Sequence, residues 1–252
     1  MNDTAGHRDP IKAGSIGRTP PHRRFYKEVG IAPDEAGFAV VLDGRIARTP
    51  AGNPLAVRSQ AIAGALAGEW SAQGERLDPA AMPLTRLVNS AIDGVATEMA
   101  AVRADIVRYA ETDLVCYRAE GPEGLAAQQE IHWWPLVDYA RAALGARLVL
   151  AEGVVHVGQA RDAVAAIDAA LEKYDALALA AIHTVTTLTG SVVIALAVAG
   201  GALMPEAAWT AAHVDEDWQM SQWGKDDLAL ERRELRWREM AAAALVLAHG
   251  ER

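Results

Sequence analysis

The residues best suited to chemistry in this sequence are carboxylates. Asp215-Glu216-Asp217 and Asp226-Asp227 stand as acidic runs, and paired acids can serve general acid–base work. Acidic runs are also ordinary solvated faces of helices, so the runs alone assign nothing. Other reactive constellations are missing. Gly224-Lys225 lacks the upstream glycine and the following Ser or Thr of a phosphate-binding loop, and no dinucleotide fingerprint follows a strand. Gly190-Ser191 lacks the second half of a nucleophile elbow. The seven histidines are scattered without a His-Glu-x-x-His pair, and His132 beside Trp133 reads as a packed core histidine rather than a ligand. The single cysteine, Cys116, permits no internal disulfide and no thiolate metal cluster, and it fits a reducing compartment. No cofactor and no metal are expected. One chemical alternative stays open, a small-molecule enzyme whose paired carboxylates (Asp113, Asp93 or Glu216) meet in a cleft between two domains.

The elements that would carry these residues change character along the chain. Residues 1–22 read as a polar tail without packing period or signal-peptide core. Arg24–Val29 mixes aromatic and β-branched residues and reads as a strand. Phe38–Leu42, the turn residues Asp43-Gly44 and the alternating Arg45–Thr49 predict a hairpin over 38–49. Thr49–Pro54 supplies a further turn, and Leu55–Val57 a further strand. From Ser59, which can cap a helix, the period lengthens: Ile62, Leu66 and Trp70 recur every fourth residue.

Helices are then expected at about 84–93 and 95–110, followed by an extended stretch over Asp113–Arg118. Pro122 opens a long helix with Trp133, Leu136, Val137, Ala140 and Leu144 on one face and a kink at Pro135. A short strand is expected at Arg147–Leu150, then helices at about 159–172, 174–188, 191–200, 205–222 and 227–248. The fold class is therefore α+β. A β-rich N-terminal domain covers 23–80 and a larger helical domain 81–252, with the boundary falling within 58–85.

Twenty-four Lys and Arg against 33 Asp and Glu give a net charge of −9, which argues against nucleic acid as a partner. Between Asp175 and Glu206 the chain carries no formal charge, and its length alone would permit a membrane span. Several Thr, Gly190, Gly200-Gly201 and the absence of flanking Lys or Arg clusters favour two buried helices broken near Gly190 instead.

The segment opened by Pro205 has more apolar faces than a surface helix needs. At about 100° per residue, Ala207, Ala211, Val214 and Trp218 form one stripe, while Trp209, Met220 and Trp223 form another with Glu216 in its middle. Two readings are open. Either the helix is buried on both sides with Glu216 paired to Arg232 or Arg236, or the second stripe is a binding surface. In the latter, Trp and Met supply contact area and the acids supply orientation. The final helix shows its own apolar line of Leu230, Trp237, Ala241, Ala244, Leu245 and Ala248 and looks structural.

Laid out this way, the chain resembles the F-type ATP synthase assembly chaperones that bind free alpha subunits. The likeness runs from about Arg23 to Met240. It is carried by Arg24-Phe25-Tyr26-Lys27, Val41-Leu42-Asp43-Gly44-Arg45, Arg48–Leu55, Glu69-Trp70 and Met82-Pro83-Leu84-Thr85. Asn89–Asp93, Thr112-Asp113-Leu114, Cys116-Tyr117-Arg118 and Trp134-Pro135-Leu136 continue it, and Asp215-Glu216-Asp217-Trp218-Gln219 with Trp223-Gly224 closes it. Trp134 and Lys225 depart from it, each standing where an acid is expected.

The resemblance implies a β-rich domain before a helical one, no catalysis and no cofactor. It implies an escort, most simply a monomer, that covers the apolar subunit interface of a free alpha subunit. The setting would be the bacterial cytoplasm, or the mitochondrial matrix if the source is eukaryotic. Its site would lie at Glu216, with Asp215, Asp217, Trp218, Gln219, Trp209, Met220 and Trp223 as neighbours. An arginine or lysine is expected opposite Glu216 on the partner.

Overall fold

The computed structural model describes residues 23–153 and 155–250; the tail expected over 1–22 lies outside them. The fold is α+β, with a small N-terminal sheet and a larger helical part. The sheet is built around the expected hairpin. β2 (Gly37–Leu42) and β3 (Arg45–Ile46) pair antiparallel with Leu42 opposite Arg45, so Asp43 and Gly44 alone make the turn. Their φ values of +48° and +77° are both left-handed, the type I′ geometry whose twist matches the flanking strands. The return leg is shorter than expected, because the chain turns again through Thr49–Asn53 and comes back as β4 (Ala56–Val57), also paired with β2.

The strand expected at Arg24–Val29 is displaced. β1 is Val29–Asp34, paired with β2 from Val29↔Leu42 to Asp34↔Gly37. Pro33 lies within it without penalty, because β1 ends the strand order and an edge strand tolerates a missing amide donor. Arg24 instead pins its segment to the loop after the first helix, donating from its guanidinium to Gln73 O at 2.6 Å.

That helix, α1 (Gln60–Ser71), begins where Ser59 accepts from the Ile62 amide, and it buries Ile62, Ala63 and Leu66 toward the sheet. α2 (Pro83–Ser90) runs into a wide turn at Ala91–Val95, and α3 (Met99–Arg108) ends in tight 3₁₀ turns, the second of which takes Leu114–Cys116 out of the expected extended stretch. β5 (Tyr117–Arg118) pairs in parallel with β6 (Ala151–Glu152), which starts just beyond the strand expected at Arg147–Leu150. α4 (Glu123–Tyr139) carries Pro135 within it and buries Trp133 and Leu136, with Ala140 buried in the wide turn that follows. His132 is not a core residue: it is half-exposed on the rim of a groove. α5 (Arg161–Leu171) follows.

The uncharged run forms two helices, as expected. α6 (Ala176–Thr189) ends at Gly190 in a left-handed conformation, and all eight residues of α7 (Val192–Ala199) are buried. Among the described residues no helix is long and apolar enough to cross a membrane. A fully buried helix needs its first amides satisfied from within. Ser191 accepts from the Ile194 amide at 3.0 Å and Asp113 from the Val193 amide at 3.1 Å.

The C-terminal third contains α8 (Pro205–Ala212), α9 (Val214–Trp223) and α10 (Asp227–His249). The expected apolar line on α10 is off by a fraction of a turn. Met240, Ala243, Val246 and Leu247 face the core, whereas Ala241 and Ala248 are exposed. The alanine row 241–244 offers no contrast between faces, so periodicity could not orient it. One apolar cluster runs from Tyr26 in the sheet region to Leu247 in α10.

Candidate functional site

The continuous helix expected over 205–222 does not exist. Its hydrogen bonding breaks at His213, which closes α8 with φ −120°, ψ 20° and passes the chain into α9. Asp215, Glu216 and Asp217 therefore fill the first turn of a new helix, where carboxylates are stabilised by its unpaired amides and dipole. The break also separates the stripe read from periodicity. Trp209 is buried on α8 against His213 and Trp237, with ring centroids 4.1 and 5.6 Å away, so it does not share a face with Met220 and Trp223. Of the other stripe, Ala211 and Val214 are buried and Trp218 half-buried, while Ala207 is exposed.

The three acids of α9 have three different fates. Asp215 is drawn toward α4, where the side-chain amide of buried Gln129 donates to its Oδ1 at 2.7 Å. Asp217 is drawn toward α10 and receives both terminal nitrogens of Arg233, one at 3.1 Å. Glu216, between them, points outward with its side chain 59% exposed. Its nearest counter-group is His213 Nε2 at 3.9 Å, beyond hydrogen-bond range.

That histidine cannot hold it. His213 is buried and its Nδ1 lies 2.7 Å from the Trp209 carbonyl oxygen, which can only accept, so Nδ1 carries the proton. Burial lowers the His213 pKa from its ordinary value, outweighing the opposing Trp209 hydrogen bond and Glu216 charge, with Arg233 and Arg236 pushing the same way as burial. At neutral pH its free Nε2 faces the Glu216 carboxylate with no proton to offer. Neither Arg232 nor Arg236 takes Glu216: Arg236 donates instead to the Leu188 carbonyl.

Two grooves flank α9. One, of about 410 Å³, lies against α10 and is lined by Glu216, Gln219, Met220, Trp223 and the arginines Arg232, Arg233 and Arg236. Trp223 is 81% exposed at its end. The other, of about 360 Å³, lies against α4 between His132 and Gln128 on one side and Asp217, Trp218 and Ser221 on the other. α4 seats α9 closely: a Cβ on Gly124 would collide with the Trp218 ring.

Sequence reading missed Gln129, Gly124 and Arg233. Gln129 had a signal, because it stands four residues before Trp133 on the core face of α4, and a polar residue there must find a partner. It meets that demand three ways. Its amide oxygen accepts from Ala119 N at 2.7 Å, its amide nitrogen serves Asp215, and its backbone carbonyl accepts from Arg118 at 3.0 Å.

The carboxylates of the enzymatic alternative are not gathered. Asp113 is buried under α7, and Asp93 holds Thr49, Ala51 and Asn53 of the turn before β4. Glu216 stands on α9, and the groove it lines contains neither of the others. Burial, reinforced by the Asp113 charge, pushes the Cys116 thiol up to about 12, so it is a poor nucleophile. Among the described residues no three His, Cys, Asp or Glu side chains cluster as metal ligands.

The fold and much of the sequence have known counterparts. A family model for the ATP12 chaperone protein matches residues 23–141. The crystal structure of Atp12 from Paracoccus denitrificans is similar at a TM-score of 0.84 and 39% identity, over 91% of this chain and 98% of that one. The chain belongs to the ATP12 chaperone family. The Atu1473 protein from Agrobacterium tumefaciens matches this ATP12 family member at a TM-score of 0.87 and 50% identity, over 91% and 86% of the two chains. The mitochondrial protein atp12 of Schizosaccharomyces pombe is 26% identical over 229 residues, 84% of this chain and 77% of that one.

Proposed function

We propose that this ATP12 family chaperone escorts the free alpha subunit of F-type ATP synthase, docking through the outward face of α9 and its groove against α10. The observation that carries this reading is the isolation of Glu216. Its two acidic neighbours are tied inward by Gln129 and Arg233, while its own carboxylate stands exposed on the groove that Trp223 also lines, without a donor among the described residues. Glu216 then orients the partner by receiving an arginine or lysine, and Gln219, Met220 and Trp223 supply contact area. Asp215, Asp217 and Trp218 hold α9 in its seat, and buried Trp209 supports it from below.

The work done is steric and thermodynamic. A free alpha subunit exposes apolar surface meant for its beta neighbour, and such a patch favours aggregation. The escort covers that surface and is displaced when the final partner binds more tightly. A groove mixing three arginines, two acids and a few apolar side chains suits an exchangeable, wet interface better than a permanent apolar one.

The test is capture of recombinant alpha subunit by the wild-type chain and by Glu216→Ala. The wild type should keep alpha in solution and co-elute with it. Glu216→Ala should weaken capture by roughly tenfold or more, with the melting temperature unchanged to within about 2 °C. If alpha aggregates equally with and without the chaperone, the proposal fails. A large drop in melting temperature with intact capture would reassign Glu216 to the fold.

A further inference from the structure

The segments around Phe25, Asp43, Arg48 and Trp70 take no part in the α9 face, yet the fold brings them together. They line a groove of about 600 Å³ on the sheet. Phe25 is 70% and Ile46 40% exposed, so two large apolar side chains are left to water in one groove. The Trp70 ring lines the same groove, while its indole nitrogen is turned inward and buried. Arginines outnumber acids along its lining, two to one. Arg45 is exposed on β3, and Arg48 anchors one nitrogen on the Gly52 carbonyl at 2.7 Å. The one acid, Asp43, is already occupied by the amides of Lys27 and Glu28 at 3.0 and 2.8 Å. A chain of net charge −9 thus carries a small net positive patch here, beside exposed apolar side chains.

We propose that this groove is a second docking site, for an extended acidic–apolar segment of a partner protein. Its carboxylates would pair with Arg45 and Arg48 and an aromatic or aliphatic side chain would lie across Phe25 and Ile46. Charge complementarity selects this occupant over the chain's own first 22 residues, whose Arg8, Lys12 and Arg18 outnumber Asp3 and Asp9. Nucleic acid offers phosphates but is repelled by the rest of the surface. The inference stands apart from the reading of α9.

It is tested by fluorescence anisotropy of the full chain with labelled peptides. One peptide alternates Glu with Leu and Phe; a second replaces Glu by Lys, and a third replaces Leu and Phe by Ser. Only the first should bind, more weakly as salt is raised. Arg45→Glu and Phe25→Ser should each reduce that binding by about tenfold. Glu216→Ala should leave it unchanged. Both substituted side chains are exposed, so unchanged melting temperatures are expected and serve as the folding control. Equal binding of the lysine peptide, indifference to Arg45→Glu, or loss on Glu216→Ala overturns the site. Displacement of the acidic peptide by a synthetic peptide of residues 1–22, or by a single-stranded oligonucleotide, overturns the choice of occupant.

Discussion

Asp113 and Glu216 are both carboxylates at the amino end of a helix, and they differ in what surrounds them. Asp113 is completely buried beneath α7, with one oxygen 3.1 Å from the Val193 amide and the other 3.1 Å from the Val115 amide. Glu216 stands in the first turn of α9, largely exposed, and meets no donor among the described residues. A carboxylate whose donors all come from its own chain belongs to the fold. One whose neighbours have been occupied while it is left open is available to something else. The acidic motif of α9 is thus two structural acids framing one free acid, rather than three equivalent ones.

The sharpest break of this comparison is at the buried end. Asp113→Ala strips the Val115 and Val193 amides of their acceptor inside a water-free site. The expected loss is about 3 kcal/mol, which corresponds to a fall in melting temperature of roughly 6–12 °C for a chain of this size. Alpha-subunit capture measured well below that temperature should be kept. An unchanged melting temperature would mean that α7 is capped by Ser191 alone, and the contrast drawn above would collapse.

The same residue gives a pH signature of unusual sign. Burial raises the Asp113 pKa from 3.8 to about 6 against the opposing hydrogen bonds. The folded chain therefore binds more protons than the unfolded one between those values, and this group's contribution to stability falls as pH rises from about 4 to about 6. It is level above. The integrated effect is about 3 kcal/mol at most. Denaturant unfolding of wild type and Asp113→Ala between those pH values isolates it, since other groups titrate in both. The stability gap between the two proteins should widen as pH is lowered. A gap that narrows would show that Asp113 is held ionised in the fold.

At the exposed end, Glu216→Lys should reverse the effect of the free acid with little structural penalty. Loss of alpha-subunit capture by roughly a hundredfold is expected, against a shift in melting temperature of no more than about 2 °C. The like substitution Asp215→Lys should lower stability as well, because it sets a cation against the donor of Gln129. If both variants lose capture equally while both stay stable, the acids act as one patch and the division between them is wrong.

The reasons that some of this was legible in sequence are local. A two-residue Asp-Gly turn, a serine before a helical period and a glycine between two apolar helices each encode their geometry within a few residues. The hairpin, the start of α1 and the division of the uncharged run accordingly stand where expected. β1 was hidden because Pro33 is forbidding in general and harmless on an edge, and the sequence does not say which strand is the edge. The break at His213 was hidden because helical periodicity drifts smoothly across it. The acid triplet that follows was a helix-start signature that could have marked it. Glu216 was singled out by the family resemblance, with its position among apolar residues in support, although one of those, Trp209, faces the core from another helix. Gln129 and Arg233 act across 86 and 16 residues of chain, a separation that no spacing rule reaches.

The mildest test concerns the seat of α9 rather than its acids. Gly124→Ala places a methyl group where the Trp218 ring lies. Overpacking of this kind costs about 1–3 kcal/mol, but alanine is favoured over glycine within a helix by about 1 kcal/mol. The two effects largely offset each other if Trp218 can move outward, and a half-buried ring at the groove edge has room to do so. The melting temperature should then change by less than about 4 °C. α9 would be displaced from α4, carrying Glu216 with it, and capture should weaken by roughly three- to tenfold. Restored capture in Gly124→Ala with Trp218→Leu, whose smaller side chain clears the methyl, would assign the loss to the position of α9. Unaltered capture in Gly124→Ala would mean that the orientation of Glu216 is set by Asp215 and Asp217 alone.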